Sequence, residues 1–274
     1  MLLRIMSQNV QLGAHRDGRW VRLAQIIREH DPSILLLQEC MGWLDNDMRQ
    51  VIAAEKDLGM RVWVGFSRTK SHTVVAHAPE LPVAGFESNP YTLMQGYSAA
   101  RFALPGLPVP LVVISAHLTA YSVEGAAEEA QLLAARAYRY DGLGVLGGDL
   151  NCCPVGDPEP EWEGVPPYNR MNRCLPRSSP DEPWRANTIV GGKLAAGGMI
   201  DVAAYLADRR GDVSLRAATG LGGVRVDQFH VTPALKAAIV DYRRVDVGEA
   251  SDHWGVVMDL DTDRIDLSLV STYI

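Results

Sequence analysis

Three polar clusters stand out in this chain: Gln38-Glu39, Gly147-Gly148-Asp149-Leu150-Asn151 and Ser251-Asp252-His253. Each follows an apolar run that reads as a buried strand. Acids, an amide and a histidine gathered at strand ends are the groups that hold a divalent cation and drive attack on phosphorus. The residues alone therefore point to a metal-dependent phosphoesterase site on a β scaffold, drawn from both ends of the chain.

The elements that must position these groups follow from periodicity. Residues 2–10 alternate as a strand, with Leu3, Ile5 and Val10 apolar. Asp17 is placed to cap a helix running to about His30, with Trp20, Leu23, Ala24 and Ile27 on one face. Asp31-Pro32 ends it. Ile34–Leu37 is a continuous apolar run, as in a strand covered on both faces. A second helix is expected over 44–58, stopped by Gly59. From 60 to 116 the pattern changes to short strands broken by Gly and Pro, with 61–66, 73–77 and 111–116 as candidates. Residues 123–140 are an Ala-rich helix, and 144–148 form a brief strand leading into Asp149. A helix near 200–208 and strands near 224–231, 239–247 and 254–260 complete the set.

Eight of the 16 prolines lie between Pro154 and Pro183, inside an irregular, Pro-rich insertion at about 152–198. It carries Trp162, Tyr168, Trp184, Arg170, Arg173, Arg177 and Arg185. No repeat and no linker divides two cores, so one domain over 1–274 is expected, with a short acidic C-terminal tail at about 261–274. Asp259, Asp261, Asp263 and Asp266 read as solvated acids, since they lack calcium-loop spacing.

The chain has 274 residues, 47% hydrophobic and 22% charged, with a net charge of −7. That excess of acid disfavours a protein that coats DNA by charge alone. Cys40, Cys152, Cys153 and Cys174 have neither zinc nor disulfide spacing and read as reduced thiols. The first residues lack a secretory pattern, and no run approaches the about 20 apolar residues of a membrane span. A soluble cytoplasmic protein is expected.

Six spaced segments carry a family resemblance: SQNVQLG (7–13), LLLQE (35–39), ISAHL (114–118), GGDLN (147–151), RVDQFHV (225–231) and SDHWGV (251–256). In this order they resemble the endonuclease/exonuclease/phosphatase superfamily, which includes pancreatic-type deoxyribonucleases and abasic-site endonucleases. The resemblance implies an α/β (α+β) fold, a four-layer α/β/β/α sandwich of two mixed sheets packed face to face with helices outside. It implies phosphoester hydrolysis with Mg²⁺ or Mn²⁺. It places Asn9, Glu39 and Asp252 at the metal. Asp149 would orient or deprotonate the attacking water, and Asn151 would fix that acid and the phosphate. His117 and His253 would contact phosphate oxygens, with Asp227 supporting His253.

Elementary chemistry agrees. Mg²⁺ takes one or two carboxylates with waters and phosphate, a count that Glu39 and Asp252 meet. A carboxylate such as Asp149 helps remove a proton from water. A neighbouring acid raises the proton affinity of a histidine, as Asp227 would for His253.

Two departures from the family pattern stand out. Ser115-Ala116 replaces the Asn-Thr usually found before the middle histidine, and Gln11 stands where abasic-site enzymes carry an acid. The family's middle tyrosine and acid have only Tyr97 and Glu80 as candidates.

Each residue also has a plainer reading. Glu39 alone could be a strand-end acid facing water, and Asp149 and Asn151 could form a turn. His117 could be a core histidine, Asp252 a turn cap and His253 structural. His15, His30, His77 and His230 read as surface or packing residues, while His72 could rim the site. Gln11, His72, Trp162, Arg170, Arg173 and Trp184 are the candidate substrate contacts. The arginines and tryptophans could equally pack the insertion onto the body. Asp201 reads as a helix-start acid.

Three functions follow. The first is a phosphodiesterase or nuclease acting on nucleic acid by metal-assisted in-line attack of water. The second is hydrolysis of a smaller phosphorylated molecule, such as a phosphoinositide, a lipid head group or a nucleotide-like metabolite. The third is a non-catalytic binding protein on the same fold.

Overall fold

The computed structural model describes residues 1–270. Along the chain run β1 (Leu2–Asn9), α1 (Trp20–His30), β2 (Ile34–Gln38), α2 (Asp45–Leu58), β3 (Arg61–Gly65), β4 (Thr73–His77), β5 (Val83–Ser88), β6 (Tyr97–Phe102) and β7 (Leu111–His117). Then come α3 (Val123–Tyr138), β8 (Gly144–Asp149), α4 (Pro167–Arg173), α5 (Ile189–Ala196), β9 (Ile200–Asp201) and α6 (Val202–Arg210). The chain continues through β10 (Asp227–Val231), β11 (Ile239–Val245) and β12 (Gly255–Asp261).

Two six-stranded mixed sheets form, in the orders β11-β12-β1-β2-β4-β3 and β5-β6-β7-β8-β10-β9. Period-two alternation sends each strand's side chains into two different cores. Ile34 and Leu36 point between the sheets with Leu3, Ile5, Phe102, Val113, Val145 and Phe229. Leu35 and Leu37 point outward, onto Trp20, Leu23 and Ile27 of α1 and Val51 and Ala54 of α2. Val112, Ile114 and Leu146 of the second sheet cover Ala126, Ala130 and Leu133 of α3 and Val190 and Leu194 of α5. The expected four-layer sandwich is therefore present, and β2 reads as an unbroken apolar run because both its faces are dry.

Local differences from the sequence reading have physical causes. Asp17 does not cap α1: its carboxylate takes the backbone N–H and Nε of Arg19 instead. The first turn of α2 holds Asn46, Asp47 and Met48 at positive φ, so regular helix begins after them. Gly59 does end α2 in a left-handed conformation, as expected. β5 and β6 escaped the sequence reading because prolines and glycines interrupt that region. The insertion is not wholly irregular, since it includes α4 and α5. Asp259 is no solvated tail acid: it lies buried on β12, bonded to Arg4 (2.8 Å) and Arg243 (3.2 Å). Residues 271–274 of the expected tail lie outside the described residues.

Candidate active site

Strand register builds the site. His117 on β7 stands opposite Asp149 on β8, and Asp149 stands opposite Asp227 on β10. Three ionisable groups thus form one row across the edge of the second sheet. In the first sheet Asn9 pairs with Gln38, which puts Glu39 one step past the end of β2. There Glu39 turns out of the strand at φ 58°. Gly148 makes the approach of β7 and β8 possible. Its φ is +145°, and a Cβ there would lie 1.9 Å from the carbonyl oxygen of Ala116.

The two sheets are joined below the site by a buried polar bridge. Gln38 Nε2 donates to Ser7 Oγ (3.2 Å) and to Ser115 Oγ (3.1 Å). Ser115 in turn donates to the carbonyl of Leu37 (3.1 Å). The serine that departs from the family pattern therefore serves the sheet interface.

Above this bridge the side chains converge. Ligand atoms of Glu39, His117 and Asp149 all lie within 4.8 Å of one another. Asn9 Nδ2 donates to Glu39 Oε1 (3.2 Å) and to Asp149 Oδ2 (3.1 Å). Its amide thus offers positive hydrogens to two carboxylates that would otherwise repel. Asn9 Oδ1 accepts the backbone N–H of Gln11 (2.9 Å), and Glu39 Oε2 accepts that of Leu12 (2.9 Å). Asp149 Oδ2 lies 3.5 Å from His117 Nε2 and 3.8 Å from His253 Nε2. His253 Nδ1 is 2.8 Å from Asp227 Oδ2.

Asn151 fixes Asp149 through its backbone N–H, which donates to Asp149 Oδ1 (3.0 Å). Its side chain is held elsewhere: Nδ2 donates to the Leu118 carbonyl (3.0 Å) and Oδ1 accepts from Arg173 (3.3 Å). Arg173 is buried and reaches the site through that bond.

The electrostatics favour an ion cluster. Burial opposes charge on Asp149, but His253, His117 and Arg173 outweigh it and hold the carboxyl below its usual range. Burial likewise works against the His253 imidazolium, yet Asp227 and Asp149 raise it to about 10. Burial raises Asp227, with partial relief from His253. Asp252 is raised first by burial, then by Glu39 and Asp149, against His253. Asp252 is not part of the tight Glu39–His117–Asp149 group, and its buried Oδ1 has no hydrogen-bond partner among the described residues.

Several sequence candidates lie elsewhere. His72 is buried, accepts the Ser67 N–H at Nδ1 (3.0 Å) and meets the ring of Phe66 edge-on, while its carbonyl accepts the N–H of Cys40 beside Glu39 (2.9 Å). Trp162 is a packing residue, buried with Cys153, Val165 and Val226, its indole N–H on Glu159 (2.7 Å). Trp184 carries Arg177 and Arg170 over its ring, at 3.5 and 5.3 Å, at the wall of a separate cleft. Gln11 sits at φ 51° beside Asn9. Tyr97 donates its hydroxyl to Glu87. Glu80 follows β4 at its far end, past His77, which pairs with the first residue of β2.

Sequence reasoning missed Glu129. It lies buried on α3 and accepts the backbone N–H groups of Thr119 and Met94, both at 2.7 Å, so it pins the loop after His117. An acid beside the buried Ala126, Ala130 and Leu133 of an Ala-rich helix was the available signal.

The donor chemistry fits a hard divalent cation. Glu39 and Asp149 offer carboxylate oxygens beside the His117 imidazole, Asn9 turns its amide N–H groups to both acids, and Asp252 adds a buried Oδ1 that is unpartnered among the described residues.

No protein-family model matches the chain. No curated protein matches it in sequence. Solved structures do match. A truncated TDP2 of Caenorhabditis elegans superposes with a TM-score of 0.60 at 15% identity, covering 95% of this chain and 97% of that one. A 3′-5′ exonuclease (NExo) of Neisseria meningitidis gives 0.62 at 17%, covering 94% and 100%. An endonuclease/exonuclease/phosphatase family protein of Bacteroides thetaiotaomicron gives 0.59 at 15%, covering 95% and 97%. Two face-to-face mixed sheets with helices outside define a four-layer α/β/β/α sandwich. The chain has the fold of the endonuclease/exonuclease/phosphatase superfamily.

Proposed function

We propose that this chain is a divalent-metal-dependent phosphodiesterase, in one domain, that acts on nucleic acid by in-line attack of water. The observation that carries the reading is convergence: Glu39, His117 and Asp149 come from three strands of two sheets to within 4.8 Å. A neighbour described as a D. rerio TDP2 complexed with single strand DNA product, and the 3′-5′ exonuclease, support nucleic acid as the substrate class.

Glu39, Asn9 and Asp252 would hold Mg²⁺ or Mn²⁺. When bound, the cation supplies charge neutralisation at the phosphoryl oxygens. Asp149, ionised and fixed by the Asn151 N–H, accepts the proton of the attacking water. His253, held by Asp227 and charged at neutral pH, donates to a phosphoryl oxygen as its negative charge grows. His117 faces the same oxygens from the neighbouring strand. Arg173 holds the loop that carries Asn151.

The net charge of −7 favours a second reading, hydrolysis of a smaller phosphorylated molecule at the same site. A substrate panel separates the two. Purified protein is expected to cleave DNA or RNA with Mg²⁺ or Mn²⁺, to stop on chelation, and to lose turnover in Asp149→Asn with an unchanged fold. Cleavage of small phosphoesters with nucleic acid untouched would establish the second reading. Full activity in chelator, or in the folded Asp149→Asn protein, would overturn both.

A further inference from the structure

The insertion places an aromatic surface directly beside the candidate site. Asn172 on α4 donates to the carbonyl of Ala120, and also to that of Tyr168 (3.2 Å). α4 therefore lies against the loop that follows His117. The last residue of α4, Arg173, reaches Asn151 (3.3 Å). Three large side chains project into solvent from this junction: Tyr121 is 72% exposed, Tyr168 66% and Met171 78%. Asn172 holds the Ala120 and Tyr168 carbonyls at one point, so the backbones that carry Tyr121 and Tyr168 are neighbours. Large apolar groups exposed on neighbouring backbones beside a polar site offer a surface for a ligand.

The surface continues into a cleft of about 560 Å³, within the roughly 300–1,000 Å³ range of ligand sites. Arg170, Arg177 and Trp184 stand on its walls with Glu124. Arg177 lies flat on the indole at 3.5 Å while its Nη1 binds the carbonyls of Pro180 and Glu182. That guanidinium is a fixed, planar, charged floor. Arg170 has no acidic partner among the described residues and lies 5.3 Å from the same ring.

We propose that α4 and the adjoining loop form a stacking platform for the unpaired bases of a single-stranded nucleic acid leaving the candidate site. This rests on the phosphodiesterase reading and names its substrate form. Open π-faces exist only where bases are unpaired. Exposed tyrosines can stack on those faces, whereas a duplex buries them. A duplex would also have to be held mainly through its phosphates, which suits a basic protein better than one of net charge −7. Tyr121 and Tyr168 take bases, and Arg170 takes the backbone as the strand enters the cleft.

The test uses Tyr121→Ala, Tyr168→Ala and the double variant. Both side chains are exposed, so the fold is not at risk. The measurements are affinity for a fluorescent single-stranded oligonucleotide, affinity for the matching duplex, and turnover of bis(p-nitrophenyl) phosphate. Stacking losses on alanine substitution predict about 10-fold weaker single-strand binding per tyrosine. Single strand is expected to bind more tightly than duplex, with turnover of the small diester unchanged. Equal single-strand affinity in the double variant, or tighter binding of duplex, overturns the platform. If the diester is hydrolysed and the oligonucleotide is not bound, the platform fails while the phosphodiesterase reading stands. If no diester is hydrolysed but tyrosine-dependent binding persists, the enzymatic reading fails and the platform stands.

Discussion

His253 is the residue whose state most depends on a single neighbour. Its burial favours the neutral ring, and Asp227 at 2.8 Å reverses that preference and lifts the group to about 10. Replacing Asp227 with Asn keeps the shape and removes the charge. Burial then acts against only Asp149 and Asp252, and the imidazole should titrate more than one unit lower. NMR titration of the His253 ring in metal-free protein measures this; an unmoved midpoint would show that Asp227 is not what charges the ring. At this scale the sequence revealed a residue's presence better than its contacts. Glu39, Asp149, Asn151 and His253 were legible as polar residues close to apolar runs, whereas the roles of Asn9, His117 and Asp227 came only from the resemblance of their segments to the superfamily. His72 and Trp162 were not separable from site residues, because a buried imidazole on a loop N–H and a buried indole on an acid have the same local sequence as exposed ones. Asp252 was legible as an acid near the site, but its distance from the tight group depends on a loop that no periodicity describes.

At the scale of the element, β7 and β8 must run in register for His117 to face Asp149, and Gly148 permits it. An added Cβ would meet the Ala116 carbonyl at 1.9 Å, and the φ of +145° is itself hostile to a side chain. Gly148→Ala should cost about 3 kcal/mol, as overpacking does, which lowers Tm by roughly 6–12 °C for a protein of this size. It should also spread the two strand ends and reduce turnover. Gly192 on α5 is the contrast: a Cβ there meets nothing within 4 Å. Gly192→Ala should hold or raise Tm, by about 0.5–1 kcal/mol of helix preference. Calorimetry on both variants decides the matter, and equal effects would remove the close approach as the cause. The GGD segment announced a strand end, but no feature of the sequence showed which neighbour forbids a side chain. β5 and β6 were unread because Pro82, Gly85, Pro90 and Gly96 punctuate them. α5 was unread because two glycines within Ile189–Ala196 dilute its helical signal.

At the scale of the molecule, the insertion must be tied to the sandwich for α4 to reach the site, and a buried arginine does this. Arg225 has no exposed side-chain surface. Its guanidinium binds Asp157, at the start of the insertion, at 2.8 and 2.9 Å, and Asp201, at the head of α6, at 3.1 and 2.8 Å. Asp201 also caps α6 by accepting the Ala204 N–H (3.1 Å). The sequence identified Asp201 as a helix-start acid, and that holds; its second role was hidden because Arg225 and Asp157 are 68 residues apart in the chain. Burial raises the Asp201 carboxyl, but Arg225 overrides it and holds it at about 2, against an ordinary 3.8. A depressed folded pKa gives stability that is complete above the unfolded value. It is lost as pH falls from about 4 through about 2, and that difference corresponds to roughly 2 kcal/mol. Asp201→Asn isolates the charge, since asparagine caps a helix as well as aspartate does. The variant should be less stable than the parent by about 2 kcal/mol at pH 7, and the gap should close as both are titrated towards pH 2. Urea unfolding at a series of pH values measures the gap directly, because the other acids titrate alike in both proteins. A gap that stays constant from pH 7 to pH 2 would mean that the Asp201 charge does not hold the insertion's anchor.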